Sequence, residues 1–503
     1  MTVGIALGIR QRPWADRGIA AACGVLAAAG QAPLDLWPLA LVGLAGLAWR
    51  VSAASGWRPA ALVGLFGGAG YFAAALSWIV EPFLIDAART AWMAPFALLL
   101  MAFGMALFWA AAAALAHAGR PVALAFAVTL TLAEAARGVL FTGFPWALPG
   151  HIWIGTPVGQ TASVWGPLGL TLVTMLAVAL PVAFGLRGLA LGAALTGASW
   201  AFGASRLAAP LPPEREATVR LVQPNAAQAA KWDPERARGF FERQLALSAE
   251  PAEGAAPSLV IWPETAVPYL LDRAGPALEQ IGAAGGGAPV AVGIQRTDGG
   301  TRGWNSLAVL APDGGVTQVY DKYHLVPFGE YIPFGDLLFR WFGLRAFAAA
   351  EGFGYSAGEG PALMDLGPVL GRVVPLICYE AVFPGIPRRA QAAGRADWLL
   401  QVTNDAWFGE WTGPYQHLAL ARLRAIEQGL PMIRVANTGV SAVIDARGQV
   451  LASMPLGVQG RLDARLPGAL PATIYAAQGD RPVLVLLAVI AAGLVLVRRR
   501  SRP

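Results

Sequence analysis

Residues 18–206 are nearly free of lysine and acidic side chains, and they fall into long apolar runs. A chain stretch of this kind cannot be solvated by water along its length, and in lipid its backbone polar groups must be satisfied internally, which selects helices. The apolar runs cover about 17–31, 34–53, 59–80, 91–117, 121–140, 163–184 and 187–206, and an eighth, 483–497, precedes Arg498-Arg499-Arg500. A bilayer core is crossed by about 20 residues, with shorter spans tolerated. Only 14% of the 503 residues are charged and the mean hydropathy is +0.52, whereas soluble domains carry about 25% charge. The fold expected is therefore a polytopic helical membrane bundle of about eight spans. Residues 211–470, whose composition is ordinary for a soluble domain, form a separate unit between the seventh and eighth spans. The chain divides into a membrane domain (1–210), a domain of soluble composition (211–470) and a C-terminal span with a basic tail (471–503).

Arginine placement orients the bundle. Arg10, Arg12 and Arg17 precede the first run, Arg50 and Arg58 flank the second loop, Arg120 lies in the fourth, Arg187 in the sixth, and Arg498, Arg499, Arg500 and Arg502 end the chain. Odd-numbered loops are poor in basic residues apart from Arg89. Basic loops mark the cytoplasm. Both termini are then cytoplasmic, and the 211–470 unit faces outward, which in a bacterial cell is the periplasmic face of the inner membrane. The basic start followed by an apolar run resembles a cleavable signal, but further runs follow at once and the arginine pattern works with the segment retained. The net charge of +6 comes from these flanking arginines and does not indicate nucleic acid.

Within 211–470, strand-like and helix-like segments alternate. Strands are expected over 218–223, 258–262, 290–294, 306–310, 316–320, 372–377, 398–402, 432–436 and 440–444, with helices over 233–248, 274–281 and 415–428. This alternation argues an α/β domain, whose chemistry collects at strand ends. Three polar residues stand there. Glu264 follows Leu259-Val260-Ile261-Trp262-Pro263, Lys322 follows Val319-Tyr320-Asp321, and Cys378 follows Val373-Val374-Pro375-Leu376-Ile377. A thiol nucleophile needs a base and a donor for the developing oxyanion. A carboxylate serves as base in a low-dielectric pocket, a lysine stabilises the oxyanion, and the Tyr379 N–H is a second donor. Each residue alone has a plainer reading: a core thiol, a capping glutamate, a solvated Asp321–Lys322 pair. Ending three apolar runs of one domain makes the set more specific than its members.

Trp262-Pro263-Glu264, the run Tyr320-Asp321-Lys322-Tyr323-His324-Leu325-Val326-Pro327-Phe328-Gly329-Glu330-Tyr331, and Ile377-Cys378-Tyr379-Glu380 resemble the Glu-Lys-Cys motifs of the nitrilase, or carbon–nitrogen hydrolase, superfamily. Thr403-Asn404-Asp405-Ala406-Trp407-Phe408-Gly409, Arg424-Ala425-Ile426-Glu427 and Asn437-Thr438-Gly439 add to it. Joined to the apolar runs, to Phe144-Pro145-Trp146 in an outer loop and to Lys231-Trp232, the pattern is similar to the apolipoprotein N-acyltransferase family over essentially the whole chain. The resemblance implies an α-β-β-α sandwich on a membrane bundle, with Glu264 as base, Lys322 at the oxyanion and Cys378 as nucleophile. It further implies Glu330 and Glu380 as supporting carboxylates, Tyr379 beside the oxyanion, and Trp232 and Trp146 against the substrate. The implied partners are a phospholipid acyl donor, typically phosphatidylethanolamine, and a diacylated apolipoprotein acceptor. No cofactor is implied, and a monomer suffices.

The segment 336–350 is apolar for a loop, and Trp341 and Phe342 with their neighbours suit a lipid-facing lid. An amidase using water as acceptor shares the three catalytic residues but leaves the membrane runs without purpose beyond anchoring. Gly354-Tyr355-Ser356-Ala357-Gly358 matches the serine nucleophile elbow, which requires a strand before and a helix after. Glu134 and Arg137 form an intramembrane pair of structural or headgroup-binding character. The four histidines, His117, His151, His324 and His417, have no metal-ligand spacing, so no metal is expected.

Overall fold

The computed structural model describes residues 13–252, 254–300, 302–332 and 354–500. Trp341, Phe342 and the rest of the apolar 336–350 segment lie outside them.

Every apolar run before residue 210 is helical. The helices are Pro13–Ala28, Trp37–Ala53, Trp57–Ala75, Ala94–Ala116 and Val122–Arg137, followed by Ala162–Ala208. The last is not one rod. Gly185 takes φ 57°, a left-handed conformation open to glycine at little cost, and the chain doubles back there. A Cβ at Gly188 would lie 1.9 Å from the Leu180 carbonyl oxygen, and one at Gly192 would lie 2.8 Å from that of Ala177. In a continuous helix, residues eight apart are about 12 Å distant, so residues 186–208 pack antiparallel on 167–184.

Fewer helices satisfy the requirements of a single span than the eight expected. Ala87–Ala116, Pro157–Ala208 and Arg481–Arg500 are long and apolar enough to cross a membrane, and Trp57–Ala75 with Ser77–Leu84, bent by 49°, makes a fourth if the two are one span. The shortfall is one of length. Pro13–Ala28 and Val122–Arg137 have 16 residues and Trp37–Ala53 has 17, below the roughly 20 that match the hydrocarbon thickness.

Glu134 and Arg137 are both buried at the end of Val122–Arg137. Arg137 Nε donates to Glu134 Oε2 at 2.8 Å, and the indole of Trp109 donates to Glu134 Oε1 at 2.6 Å. The same guanidinium donates to the carbonyls of Phe144 and Trp146. The pair is thus an anchor: it closes the loop after the helix and sets where Trp146 sits.

The outer unit is built from two six-stranded sheets. The strands are β1 (Thr218–Gln223), β2 (Leu259–Ile261), β3 (Val290–Thr297), β4 (Gly303–Leu310), β5 (Val316–Asp321), β6 (Met364–Asp365), β7 (Arg372–Ile377), β8 (Trp398–Thr403), β9 (Met432–Ala436), β10 (Ser441–Ile444), β11 (Val450–Met454) and β12 (Gly460–Arg465). One sheet runs β12-β1-β2-β3-β4-β5 and the other β11-β10-β9-β8-β7-β6. β6, β11 and β12 were not legible in the sequence, being short or half exposed.

Side-chain alternation explains how the sheets stack. Val219, Leu221, Leu259 and Ile261 of the first sheet meet Val373, Ile377, Trp398, Leu400, Val402, Ile433 and Val435 of the second in one apolar layer. The intervening residues Val222, Val260 and Trp262 point outward under helices Pro234–Ala249 and Gly275–Ala284, against Phe241, Leu247, Leu278 and Ile281. On the second sheet, Val374, Leu376, Leu399 and Met432 point the other way. They share a continuous core with Leu420 and Ala425 of helix Gly413–Gln428 and with Tyr71, Trp109 and Trp146 of the membrane bundle. The strand that ends in Cys378 therefore belongs to a core continuous with that of the membrane helices, reached through the helices Gly385–Ala390 and Gly413–Gln428 that cover its sheet.

Candidate active site

β7 delivers Cys378 to the start of a 3₁₀ turn, Cys378–Val382, with φ 51° at the cysteine. A non-glycine residue in this region is held there by its surroundings. Glu380, fully buried, does much of the holding. Its Oε2 accepts the Ile377 N–H at 2.8 Å. Its Oε1 accepts the Tyr320 hydroxyl at 2.9 Å and the Tyr323 and His324 N–H groups at 2.8 and 3.2 Å. One carboxylate so ties the nucleophile turn to the segment that carries Lys322. Burial pushes its pKa up to about 6, against the hydrogen bonds and Lys322, which favour the charged form.

Lys322 is buried at the end of β5, 2.8 Å from Glu330 Oε1 and 3.5 Å from Glu264 Oε1. Burial opposes its charge, but Glu330 and Glu264 outweigh that and raise its pKa above the ordinary lysine value. Asn305 of β4 bridges the two carboxylates, donating to Glu264 Oε1 at 2.7 Å and to Glu330 Oε1 at 3.1 Å. Backbone donors complete both: Asn404 N–H to Glu264 Oε2 at 2.9 Å, and Val326 N–H to Glu330 Oε2 at 2.8 Å. The Cys378 thiol lies in the field of this cluster. Burial and then Glu264 push its pKa up, while Lys322 pulls it down. The balance favours the neutral thiol beside a lysine cation.

Lys231 was quoted in a motif but given no role from the sequence. It is buried, and its Nζ donates to the Glu264 carbonyl oxygen at 3.2 Å and to Thr265 Oγ1 at 2.8 Å. Burial lowers its pKa to about 8, with Glu264 and Cys378 opposing. Trp232, 44% exposed, lies with its ring 5.4 Å from the Lys231 ammonium, and both line an open cleft with Phe240, Gln244 and Pro263. Trp146 is elsewhere: it is fully buried, its indole donates to Gln416 Oε1 at 2.7 Å, and it packs on Trp78, Phe408 and His417. It stands at the seam between bundle and sheet. Tyr379 joins that seam from the other side, with its hydroxyl 3.3 Å from the Gly143 carbonyl oxygen and its ring 4.9 Å from Phe383.

The serine alternative fails on geometry. Ser356 N–H donates to the Gly303 carbonyl at 2.7 Å and Gly358 N–H to that of Lys322 at 2.8 Å. The segment is an extended strap along the first sheet, without the helix that an elbow requires. His324 packs its ring 3.8 Å from that of Phe383; burial, then Lys322 and Arg389, lower its pKa to about 4, which suits a neutral packing role.

The carbon-nitrogen hydrolase model matches residues 218–470, and that of the apolipoprotein N-acyltransferase N-terminal domain matches residues 23–180. The chain is 39% identical to the apolipoprotein N-acyltransferase of Bradyrhizobium diazoefficiens, over 97% of this chain and 95% of that one. The chain belongs to the apolipoprotein N-acyltransferase family. The Caulobacter vibrioides member is 38% identical over 98% of this chain and 96% of its own. Among solved structures, an amidase of the nitrilase superfamily from Nesterenkonia AN1 is 18% identical, covering 55% of this chain and 99% of that one with a TM-score of 0.40.

In this N-acyltransferase family member, sequence reasoning missed Asn305, Gln401 and Arg434, and gave no role to Thr403, Asp405 and His417, which join Gln401 and Arg434 in a buried polar set beneath Cys378. Their signal was a single polar residue inside an apolar strand, as in Trp398-Leu399-Leu400-Gln401-Val402. Asp405 is the charged centre of that set, with His417 Nδ1 at 2.9 Å and Arg434 on its other oxygen. Burial alone would raise its pKa, but Arg434 and then His417 hold it at about 2, below the ordinary 3.8. A depressed carboxylate contributes stability that is present above its unfolded pKa and lost as pH falls through the folded one. That contribution is about 2 kcal/mol, lost between pH 3.8 and about 2. Asp405→Asn is expected to lower thermal stability at neutral pH and to flatten the acid limb of the stability curve over that window. An unchanged acid limb would contradict the assignment.

Proposed function

We propose that the chain transfers a fatty acyl group from a phospholipid, phosphatidylethanolamine foremost, to the α-amine of the diacylglyceryl-modified N-terminal cysteine of an apolipoprotein. The observation that carries this reading is the shared core: the strand ending in Cys378 belongs to one apolar core with the membrane helices, and Tyr379 of the turn after it reaches the Gly143 carbonyl of the membrane part, as suits a thiol acting on lipids. Glu264 takes the thiol proton while Sγ attacks the ester carbonyl carbon. Lys322 and the Tyr379 N–H hold the oxyanion. The C–O bond to glycerol breaks, and the lysophospholipid leaves with the proton. In the second half the amine attacks the thioester, the C–N bond forms, the C–S bond breaks, and Glu264 carries the amine proton back to the sulfur. Glu330 keeps Lys322 charged, Glu380 shapes the turn, and Trp232 bounds the substrate space. Splitting the transfer lets one site serve donor and acceptor in turn, and water must stay out or the thioester hydrolyses.

Intact mass spectrometry of the lipid-embedded protein is expected to show one acyl adduct on Cys378 after incubation with phospholipid. The adduct is expected to disappear on adding a diacylglyceryl peptide with a free amine. Loss of the adduct to water at the same rate without peptide would favour an amidase, and no adduct at all would sink the scheme.

We further read the helices as eight passes, with both termini cytoplasmic and residues 211–470 periplasmic. The Gly185 hairpin, which separates two passes, and the arginine loops support this. Single cysteines at Ser205 and Ser501 in a Cys23→Ala, Cys378→Ala background are expected to label from the periplasm and from the cytoplasm respectively. Labelling of both from one side would overturn the reading.

A further inference from the structure

Under Cys378 lies a closed polar set that the mechanism above does not use. Gln401 of β8, Arg434 of β9 and His417 of helix Gly413–Gln428 are all fully buried. Gln401 pairs in register with Leu376 on one side and Arg434 on the other. Strand alternation turns Leu400 and Val402 into the inter-sheet core and so turns Gln401 to the opposite face, under the helix. The amide orientation is settled by its neighbours. Its Oε1 accepts Arg434 Nη1–H at 2.6 Å, so its Nε2 faces both the Cys378 carbonyl oxygen at 3.2 Å and His417 Nε2 at 3.0 Å.

The ring of His417 fits this arrangement. Its Nδ1 is 2.9 Å from Asp405 Oδ1, and burial and then Arg434 lower its pKa. A neutral ring gives its Nδ1 proton to Asp405 and leaves Nε2 to accept from Gln401. Both Gln401 N–H groups and its carbonyl are then satisfied, one of them on the backbone of the nucleophile.

The Cys378 carbonyl and the Tyr379 N–H belong to one peptide plane and point to opposite sides of it. Fixing the carbonyl fixes the N–H. Tyr379 sits in the first turn of a 3₁₀ helix, where N–H groups precede the helix's own hydrogen-bond ladder.

We propose that Gln401, oriented by Arg434 and His417, is a positioning residue: by holding the Cys378 carbonyl it aims the Tyr379 N–H at the oxyanion of the acyl-transfer step. The proposal rests on the reading of Cys378 as the acylated nucleophile. It assigns His417 the task of orienting an amide and not that of a base for the thiol, because its Nε2 faces Gln401 and the Cys378 carbonyl.

The test separates two reactions of one sulfur. Alkylation by iodoacetamide is a displacement that forms no oxyanion, whereas acylation by phospholipid forms one. Gln401→Met keeps the length and removes the donors. In lipid-embedded protein, acylation of Cys378 by phosphatidylethanolamine is expected to fall by about 10- to 100-fold, below the loss of about 10² to 10³ for an oxyanion donor removed outright. Alkylation is expected to stay within about threefold of wild type, and the phospholipid KM to stay unchanged while kcat falls, as for an interaction made only in the transition state. His417→Asn, which frees the Gln401 amide, is expected to show the same split to a smaller degree. Acylation at the wild-type rate in Gln401→Met, or equal loss of acylation and alkylation in both variants, would overturn the proposal. Failure of the wild-type protein to acquire an acyl adduct would instead overturn the reading of function beneath it.

Discussion

Cys378→Ala is expected to leave a folded, membrane-embedded protein with no measurable acyl transfer and no acyl adduct. The side chain is small and buried, so its removal costs about 1 kcal/mol or less of packing. Its chemical loss is expected to be total, because in the proposed reaction the acyl group is carried on this sulfur. Cys23, the second free cysteine, lies in the first membrane helix, and Cys23→Ala is expected to be neutral. The backbone adds a further contrast. At φ 51° a Cβ costs roughly 1–2 kcal/mol, while glycine costs roughly 0.5–1 kcal/mol more in the unfolded chain. Cys378→Gly is therefore expected to unfold at the same temperature as Cys378→Ala or higher, though glycine substitutions usually destabilise. A lower melting temperature for the glycine variant would mean that the turn is not held against the preference of its own residue. Acyl transfer by either variant would remove Cys378 from the mechanism.

Lys322→Met is expected to fail in two ways at once. It withdraws the cation from between Glu264 and Glu330, whose Oε1 atoms share the amide of Asn305 at 2.7 and 3.1 Å. Breaking a buried charge cluster by removing one partner costs about 3–5 kcal/mol, and the structure responds by protonating one carboxylate. The protonated candidate includes Glu264, the base. Acylation of Cys378 is then expected to fall by about 10³-fold or more, from loss of the oxyanion partner joined to loss of the base. Iodoacetamide alkylation is expected to slow as well, because the thiol loses the charge that pulls its pKa down. Lys322→Arg is not expected to rescue, since the planar guanidinium fork does not fit a site built for a compact ammonium. Thermal unfolding in detergent and intact-mass acylation measure the two effects. Acylation within tenfold of wild type would remove Lys322 from the oxyanion.

The strands that lead to Glu264, Lys322 and Cys378 were legible because their signals are local. Arg372–Ile377 was read from six consecutive residues, and a thiol following such a run is found without knowledge of the rest of the chain. Glu264 and Lys322 were legible for the same reason, each ending a strand of one sheet. Asn305 was not. It sits in the third position of β4, between Trp304 and Ser306, and only the pairing of β4 with β3 and β5 puts its amide between Glu264 and Glu330. The apolar runs were legible in helical state, but not in span length or in the way they fold. Apolar content reports where helices form; it does not report that Trp57–Ala75 bends by 49° into Ser77–Leu84.

By itself, then, the sequence determined a lipid-embedded helical part, an α/β part with strands near their true positions, and a carboxylate, a lysine and a thiol at the ends of three strands. Only the tertiary structure decided that Gln401, Arg434 and His417 converge on one carbonyl, that the Glu134–Arg137 pair anchors the loop carrying Trp146, and that the Cys378 strand shares a core with the membrane helices. The reason is physical. Hydrophobic periodicity acts over a few residues, whereas a buried polar group finds its partner through strand register and helix packing, across tens to hundreds of residues of chain.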